Sequence, residues 1–579
     1  MTQTDTAASV VAASVVTEAF SAPAAAEGRR GADALLEVLD SEGVEYIFGN
    51  PGTTELPLMD ALLARPQLQY IWGLQEASVV AMADGYAQAA RRPGFVNLHT
   101  AGGLGHGLGC LINAGVSNTP LVVTAGQQDS RHTVTDPLLF GDLVAIARPH
   151  CKWAQEVTSA AQIPILVRRA FHDCNAAPAG SVFLSLPMDV MEETTTVSAL
   201  APSNIDRRAV AGSLDELARM LAKVKPDRLV IIAGDEIDIS DAAPETVEIA
   251  EVLGVPVYGA SWPARIPFPT SHPLWSGNMP TRATDINARL SDYDCVFGIG
   301  GKSLITILYS EGSAVPESCD VLQLSSDVRD LGRTYTTKLS VLGDIKVSLQ
   351  ALIPLVRKHC APTADVRAAQ VARAREGRLA RRKGLEAKAQ ADMAAPVATP
   401  LVAAFEVVRA IGSRAAIVDE AIATSAHVKS LLYSDSARQY SFLRGGVLGW
   451  GMPASCGFSL GYGRAPVVCL VGDGAALYSP QALWTAAHEK LPVTFVVMNN
   501  REYNVLKNFQ RGQAHYNSTR SNRFIAMDIT DPAVDFIALA TALGVPARRA
   551  ERPADIAQLV EAGIASEKPN LIEIPISTE

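Results

Sequence analysis

Eight short apolar runs constrain this chain more than any other feature of it: FVNLHTAGG from residue 95, PLVVTAGQQ from 120, SVFLSLP from 181, RLVIIAGDE from 228, CVFGIGGK from 295, VVCLVGDG from 467, VTFVVMNN from 493 and NLIEIPI from 570. Unbroken Val/Ile/Leu runs of this length suit strands buried on both faces, the condition of a parallel sheet. Parallel strands need crossovers, and helical patterns fill the gaps. In SPQALWTAAHEK, Ser479 stands where it can cap and Pro480 where it can occupy the first turn. Alternation of this kind predicts α/β architecture with doubly wound parallel sheets.

A chain of 579 residues exceeds one core. Shifts in composition divide it into a flexible extension at 1–30, a first domain at 31–195, a central domain at 208–356, a linker at 357–399 and a third domain at 400–579. The linker, VRAAQVARAREGRLARRKGLEAKAQADMAAPVATP at its heart, is basic and poor in large apolar residues. It reads as a solvated connection with a surface helix, or alternatively as an anion-binding patch.

Composition excludes several classes of function. A formal charge of −10 argues against a nucleic-acid binder. The eight cysteines are scattered without a C-x-x-C pair, as expected of reduced core residues in a cytosolic protein. The first 28 residues hold no Lys or Arg, so no secretory signal is expected, and no apolar run reaches the ~18 residues of a membrane span. The expected location is cytoplasmic, with no membrane partner.

Two of the runs end in chemistry. One closes on Gly472-Asp473-Gly474 and the next on Asn499-Asn500, with one helical pattern between them. Ligands of parallel sheets bind beyond the carboxyl ends of the strands. A carboxylate, an amide oxygen and a nearby carbonyl are hard donors suited to Mg²⁺, which takes few carboxylates and completes its shell with phosphate. Gly472 and Gly474 admit the backbone to a diphosphate, and the amides of the following helix can donate to it.

G-D-G followed at this interval by N-N resembles the diphosphate–Mg²⁺ motif of thiamine-diphosphate-dependent enzymes, the pyruvate decarboxylase and acetolactate synthase group. FGNPGTTELP at 48, LQEASVVAMADGYAQA at 74, FVNLHTAGG, PLVVTAGQQ, ALWTAA and VVMNN are most similar to the benzoylformate decarboxylases of that family. The resemblance implies pyrimidine-binding, central and diphosphate-binding domains in that order, with thiamine diphosphate and Mg²⁺ as cofactors. It implies Asp473, Asn500 and the carbonyl of Glu502 on the metal, with Gly472, Gly474, Ala475 and Tyr503 around the diphosphate. Glu76 matches the glutamate that activates the coenzyme through its pyrimidine ring. In GGVLGWGMP, Leu448 matches the wedge between the two rings, and the Gly446 carbonyl the acceptor for the 4′-amino group.

Toward the substrate, the same resemblance implies His99 and Thr53 as contacts, and Leu138, Leu139, Val505, Leu506 and Phe509 as an apolar pocket. Departures are visible. Ile307 stands where the benzoylformate decarboxylases have a second histidine, Ile422 and Ala423 replace hydroxyl residues, and His106 stands where Asn is usual. His132, on a loop where related decarboxylases carry histidines, is the candidate to compensate. The implied activity is non-oxidative decarboxylation of an aromatic or bulky 2-oxo acid, by ylid attack, CO₂ loss and enamine protonation. The alternative is a carboligase or lyase forming or cleaving 2-hydroxyketones or 2-hydroxyacyl compounds, because a missing histidine would lengthen the enamine's life. Partners would be a small 2-oxo acid or aldehyde and further copies of the chain, as a homodimer or homotetramer with sites at subunit interfaces.

Overall fold

The computed structural model describes residues 28–578. The extension expected at 1–30 lies outside them apart from Gly28 and the two-residue strand Arg29–Arg30, which pairs antiparallel with Thr194–Thr195. All eight apolar runs form strands, and together with ten further strands they build three separate six-stranded sheets in which every pairing is parallel.

The first sheet runs, edge to edge, Gln69–Trp72, Tyr46–Gly49, Gly94–His99, Leu121–Gln127, Val182–Pro187 and Ala154–Glu156. In the third the order is Tyr440–Phe442, Ala416–Glu420, Val467–Gly472, Val493–Asn499, Asn570–Pro575 and Ala547–Arg549. Counted by chain order within each domain, the two sheets are wound identically. The central sheet differs: Trp275–Asn278, Val257–Gly259, Leu229–Ala233, Cys295–Ile299, Asp320–Ser325 and Leu339–Leu342.

In each outer sheet the winding reverses beside the first strand. There the connections leave in opposite directions and open a crevice at the carboxyl ends. The reversal places Asn50 and His99 at the crevice of the first domain, and Glu420 and Asp473 at that of the third.

The domains are tied by charge as well as packing. Trp450 of the third domain donates its indole N–H to Asp84 of the first at 2.7 Å. Asp238 of the central domain, almost fully buried, pairs with Arg91 of the first domain at 2.9 Å and with Arg265 at 3.1 Å.

Two sequence expectations need correction. The helix after Gly474 runs Gln481–His488 with Pro480 at its N-cap, so it starts later than predicted. Ser479 does not cap it with its side chain; its carbonyl accepts from Ala482 N at 3.1 Å, while its buried hydroxyl has no partner. The linker does form a helix, Ala364–Ala391, but two of its arginines are core residues. Arg367 donates to the Leu253, Val224 and Ala222 carbonyls at 2.6, 3.1 and 3.2 Å, satisfying the C-terminal ends of two central-domain helices. Arg378 donates to the Thr270 carbonyl at 2.7 Å. These guanidiniums are spent inside the protein, which leaves the anion-patch alternative without its buried members. Arg367→Met keeps the stem and strands three carbonyls. It is expected to cost about 2 kcal/mol or more, read as a lower first transition in calorimetric unfolding.

All eight cysteines are free, and seven of them are buried. Among the described residues no helix is long and apolar enough to cross a membrane.

Candidate functional site

A cavity of about 330 Å³ opens at the crevice of the third domain. Its lining includes Gly472, Asp473, Gly474, Ala475, Asn500, Glu502 and Tyr503, with Glu420, Thr424, Tyr478 and Asn504 also present. The rest of the lining is apolar: Ile422, Ala423, Leu448, Met498, Val505, Leu506 and Ile576, with Ala421 and Gly446. Residues from two ends of the domain's sequence meet here because their strands are neighbours across the winding reversal.

Asp473 is 5% exposed. Its two carboxylate oxygens accept from Gly474 N at 2.8 Å and Arg501 N at 2.6 Å. Burial pushes its carboxyl up to about 6, and nearby Glu502 adds to the push. Arg501 adopts φ 59°, a left-handed conformation that turns the chain between Asn500 and Glu502. The Glu502 carboxylate is engaged by Lys507 and by Asn504 Nδ2, and the residue lines the cavity. Of the amide pair, Asn499 is used internally, donating to Glu573 at 2.7 Å, and Asn500 is the one on the wall. Among the described residues no cluster of three His, Cys, Asp or Glu has metal-site geometry. A cation here would take the mixed set of one carboxylate, one amide and one carbonyl, and a buried carboxylate pressed toward neutrality is the group such a cation would relieve. That set fits Mg²⁺. The Gly474 amide differs from expectation: Asp473 already holds it, so it is not free for a diphosphate.

The first-domain residues form a second cluster. Glu76 begins the helix Glu76–Ala90, whose N-cap Gln75 accepts from Ser78 N. Its carboxylate accepts from Asn50 Nδ2 at 3.1 Å and faces His106 Nδ1 at 3.2 Å. His99 ends its strand and leads into helix Thr100–Val116. Its Nδ1 lies 2.8 Å from Glu55 Oε2 and 3.1 Å from Thr54 Oγ1. The hydrogen bond to buried Glu55 raises the imidazole above its ordinary 6.5, against the opposing effect of partial burial.

Glu55→Gln removes that support. NMR titration of the His99 ring is expected to show a lower pKa in the variant. Because the folded value is raised, the pair's contribution to stability is fully present below pH 6.5 and fades as pH rises through the folded value. The stability gap between wild type and variant should therefore narrow from pH 6 to pH 9, a trend readable by denaturant unfolding.

Within one chain the two clusters stay apart. No first-domain residue lines the cavity, so Glu76, His99, Thr53, His132, Leu138 and Leu139 do not meet Asp473 there. Thr53 is exposed, and its neighbour Thr54 is the hydroxyl that reaches His99. His132 is exposed on the same loop as Leu138 and Leu139, which are 86% and 43% exposed. Phe509 does not share the wall with Val505 and Leu506, because on helix Asn504–Arg511 it sits a turn further along the axis. Ile307 is 45% exposed and lies outside any regular element.

Sequence reasoning missed Asn50, Glu55 and Glu420. Asn50 and Glu55 lie inside the quoted FGNPGTTELP motif, and Glu420 sits at a strand end two residues before Ile422, so position alone signalled them. Their partners come from distant segments, which no local pattern reveals.

Residues 29–146 match the thiamine pyrophosphate enzyme N-terminal TPP binding domain, 214–352 the central domain and 424–574 the C-terminal TPP binding domain. The chain belongs to the thiamine pyrophosphate enzymes. Within that family it is 31% identical to benzoylformate decarboxylase of Pseudomonas aeruginosa, over 94% of this chain and 98% of the relative. It is 25% identical to the acetolactate synthase isozyme 3 large subunit of Escherichia coli, over 89% of this chain and 88% of the relative. Among solved structures, the thiamine diphosphate-dependent 4-hydroxybenzoylformate decarboxylase of Rhodococcus jostii superposes with a TM-score of 0.83 at 26% identity, covering 95% of this chain and 100% of the other. Benzoylformate decarboxylase from Polynucleobacter necessarius gives 0.84 at 26% identity, covering 95% and 99%.

Proposed function

We propose that this thiamine pyrophosphate enzyme is a Mg²⁺-dependent, non-oxidative decarboxylase of an aromatic or bulky 2-oxo acid. The observation that supports it most is a cavity lined by the buried Asp473 carboxylate, the Asn500 amide and many apolar side chains, together with similarity to decarboxylases of aryl 2-oxo acids. The coenzyme, when bound, would supply a carbon nucleophile and a cationic ring that serves as the sink for the electron pair left behind by departing CO₂. The chain's residues do the rest. Asp473, Asn500 and the Glu502 carbonyl would hold the metal, Gly472, Ala475 and Tyr503 would border the diphosphate, and Leu448 and Gly446 would face the rings. Glu76, fixed by Asn50, is the carboxylate assigned to the pyrimidine. His99, with Glu55 behind it, is the group suited to deliver a proton near neutral pH.

No first-domain residue lines the cavity within one chain, and the reading therefore includes a homodimer or homotetramer in which one protomer supplies the first-domain cluster and its partner the cavity. Exposed Leu138, Leu139 and His132 then come to line the substrate space from the first domain.

The test is CO₂ release from a panel of aryl, branched and short 2-oxo acids, with purified protein, thiamine diphosphate and Mg²⁺. Turnover should favour the aryl members; silence across the panel rejects the proposal. A carboligase reading draws on Ile307 in place of a histidine and on the similarity to acetolactate synthase. Chiral analysis of products from 2-oxo acid and aldehyde mixtures decides between them, since a decarboxylase leaves free aldehyde and a carboligase leaves 2-hydroxyketone.

A further inference from the structure

Between strand Tyr440–Phe442 and helix Gly451–Gly461 the chain passes through a glycine-rich segment without regular structure. It carries Leu448 and Gly446 into the cavity wall. Such a segment has much conformational freedom to lose, and Gly449, at φ 95°, uses a region closed to most side chains. Its shape therefore depends on what holds it.

Contacts from all three domains do so. Buried Arg444 pairs with Asp235 of the central domain. Asn113, from helix Thr100–Val116 of the first domain, grips Val447 on both sides: its Nδ2 donates to the Val447 carbonyl at 2.8 Å and its Oδ1 accepts from Val447 N at 3.2 Å. Glu420 ends its strand at 1% exposure, and both its oxygens are used. One accepts from Gly449 N at 2.6 Å and, at 3.4 Å, from Trp450 N; the other accepts from Gly451 N at 2.6 Å. The approach is close enough that a Cβ at Gly451 would lie 2.8 Å from the Glu420 carboxylate. Leu448 thus stands between two clamped neighbours, Val447 held by Asn113 and Gly449 held by Glu420.

We infer that Glu420 is a positioning residue for Leu448: its carboxylate locks the backbone after Leu448 and so sets where that side chain stands against the coenzyme's rings. This rests on the reading that thiamine diphosphate occupies the cavity. Buried backbone N–H groups left without an acceptor are costly, and hydrogen bonds to a charged acceptor are the stronger kind. Glu420→Gln keeps the shape but turns one acceptor into an N–H₂ group facing a backbone N–H.

The experiment compares two ligands by calorimetry, each with Mg²⁺: inorganic pyrophosphate, which needs only the Asp473 wall, and thiamine diphosphate, which also needs the loop. In Glu420→Gln, pyrophosphate affinity should stay within about twofold of wild type, while thiamine diphosphate affinity falls about tenfold or more. Equal weakening of both ligands, or of neither, overturns the inference. Wild-type protein that binds neither ligand rejects the coenzyme reading instead. Hydrogen exchange on ligand-free wild type decides the matter even where the variant does not fold. The Gly449 and Gly451 amides should exchange as slowly as those of strand Val467–Gly472, and exchange as fast as an exposed loop overturns the inference.

Discussion

Glu76→Gln is expected to lower turnover by about 10²–10⁴-fold, the range for losing a positioned acid–base group, while the protein stays folded and keeps its affinity for coenzyme within about tenfold. The geometry explains the separation. Glu76 is 8% exposed and held by Asn50, and a glutamine oxygen can still accept from Asn50 Nδ2 at the same 3.1 Å. What disappears is the negative charge. Steady-state kinetics with calorimetric binding separates the two effects: a fall in kcat with nearly unchanged binding supports the assignment, and undiminished turnover rejects it. A parallel Asn50→Ala variant should lose a smaller part of the activity, because the carboxylate remains but its orientation is freed.

Asp473→Ala is expected to remove Mg²⁺-dependent coenzyme binding, weakening thiamine diphosphate by at least about 100-fold. Loss of a group that merely supports a metal ligand already costs 10–100-fold, and Asp473 would be a ligand itself. It also spans the cavity floor, accepting from Gly474 N and Arg501 N and so shaping the turn that presents Asn500 and Glu502. A thermal-shift measurement reads this directly. A ligand at one hundred times its Kd stabilises the folded state by about 2.7 kcal/mol, so wild type should melt higher with thiamine diphosphate and Mg²⁺ present. The variant should melt at the same temperature with and without them. An intact ligand-induced shift in the variant would remove Asp473 from the metal site.

The strands and their ends were legible from residues alone. VVCLVGDG and VTFVVMNN announce buried parallel strands, and Asp473 and Asn500 fall where such strands release ligands. The linker was legible as a helix but not as a buttress. The roles of Arg367 and Arg378 depend on which carbonyls lie opposite them, and those belong to segments more than a hundred residues away. The resemblance suggested Thr53 for the substrate side, and the fold adds that its neighbour Thr54 is turned toward His99, a contact that no residue type announces. Phe509 stands outside the cavity lining that holds Val505 and Leu506, and distance along a helix axis is not visible in a similarity of residue types.

Periodicity and strand-end chemistry, which are local properties, suffice to specify the α/β class, the three sheets and the residues at the mouth of the third one. The winding order, the Glu55–His99 and Asn50–Glu76 pairs, the three-domain grip on the segment around Leu448 and the separation of Glu76 from the cavity in one chain were decided only by tertiary structure. The physical reason is that hydrogen bonds and burial act across space. Which carboxylate finds which amide is settled when separate segments pack, and no spacing along the chain encodes it.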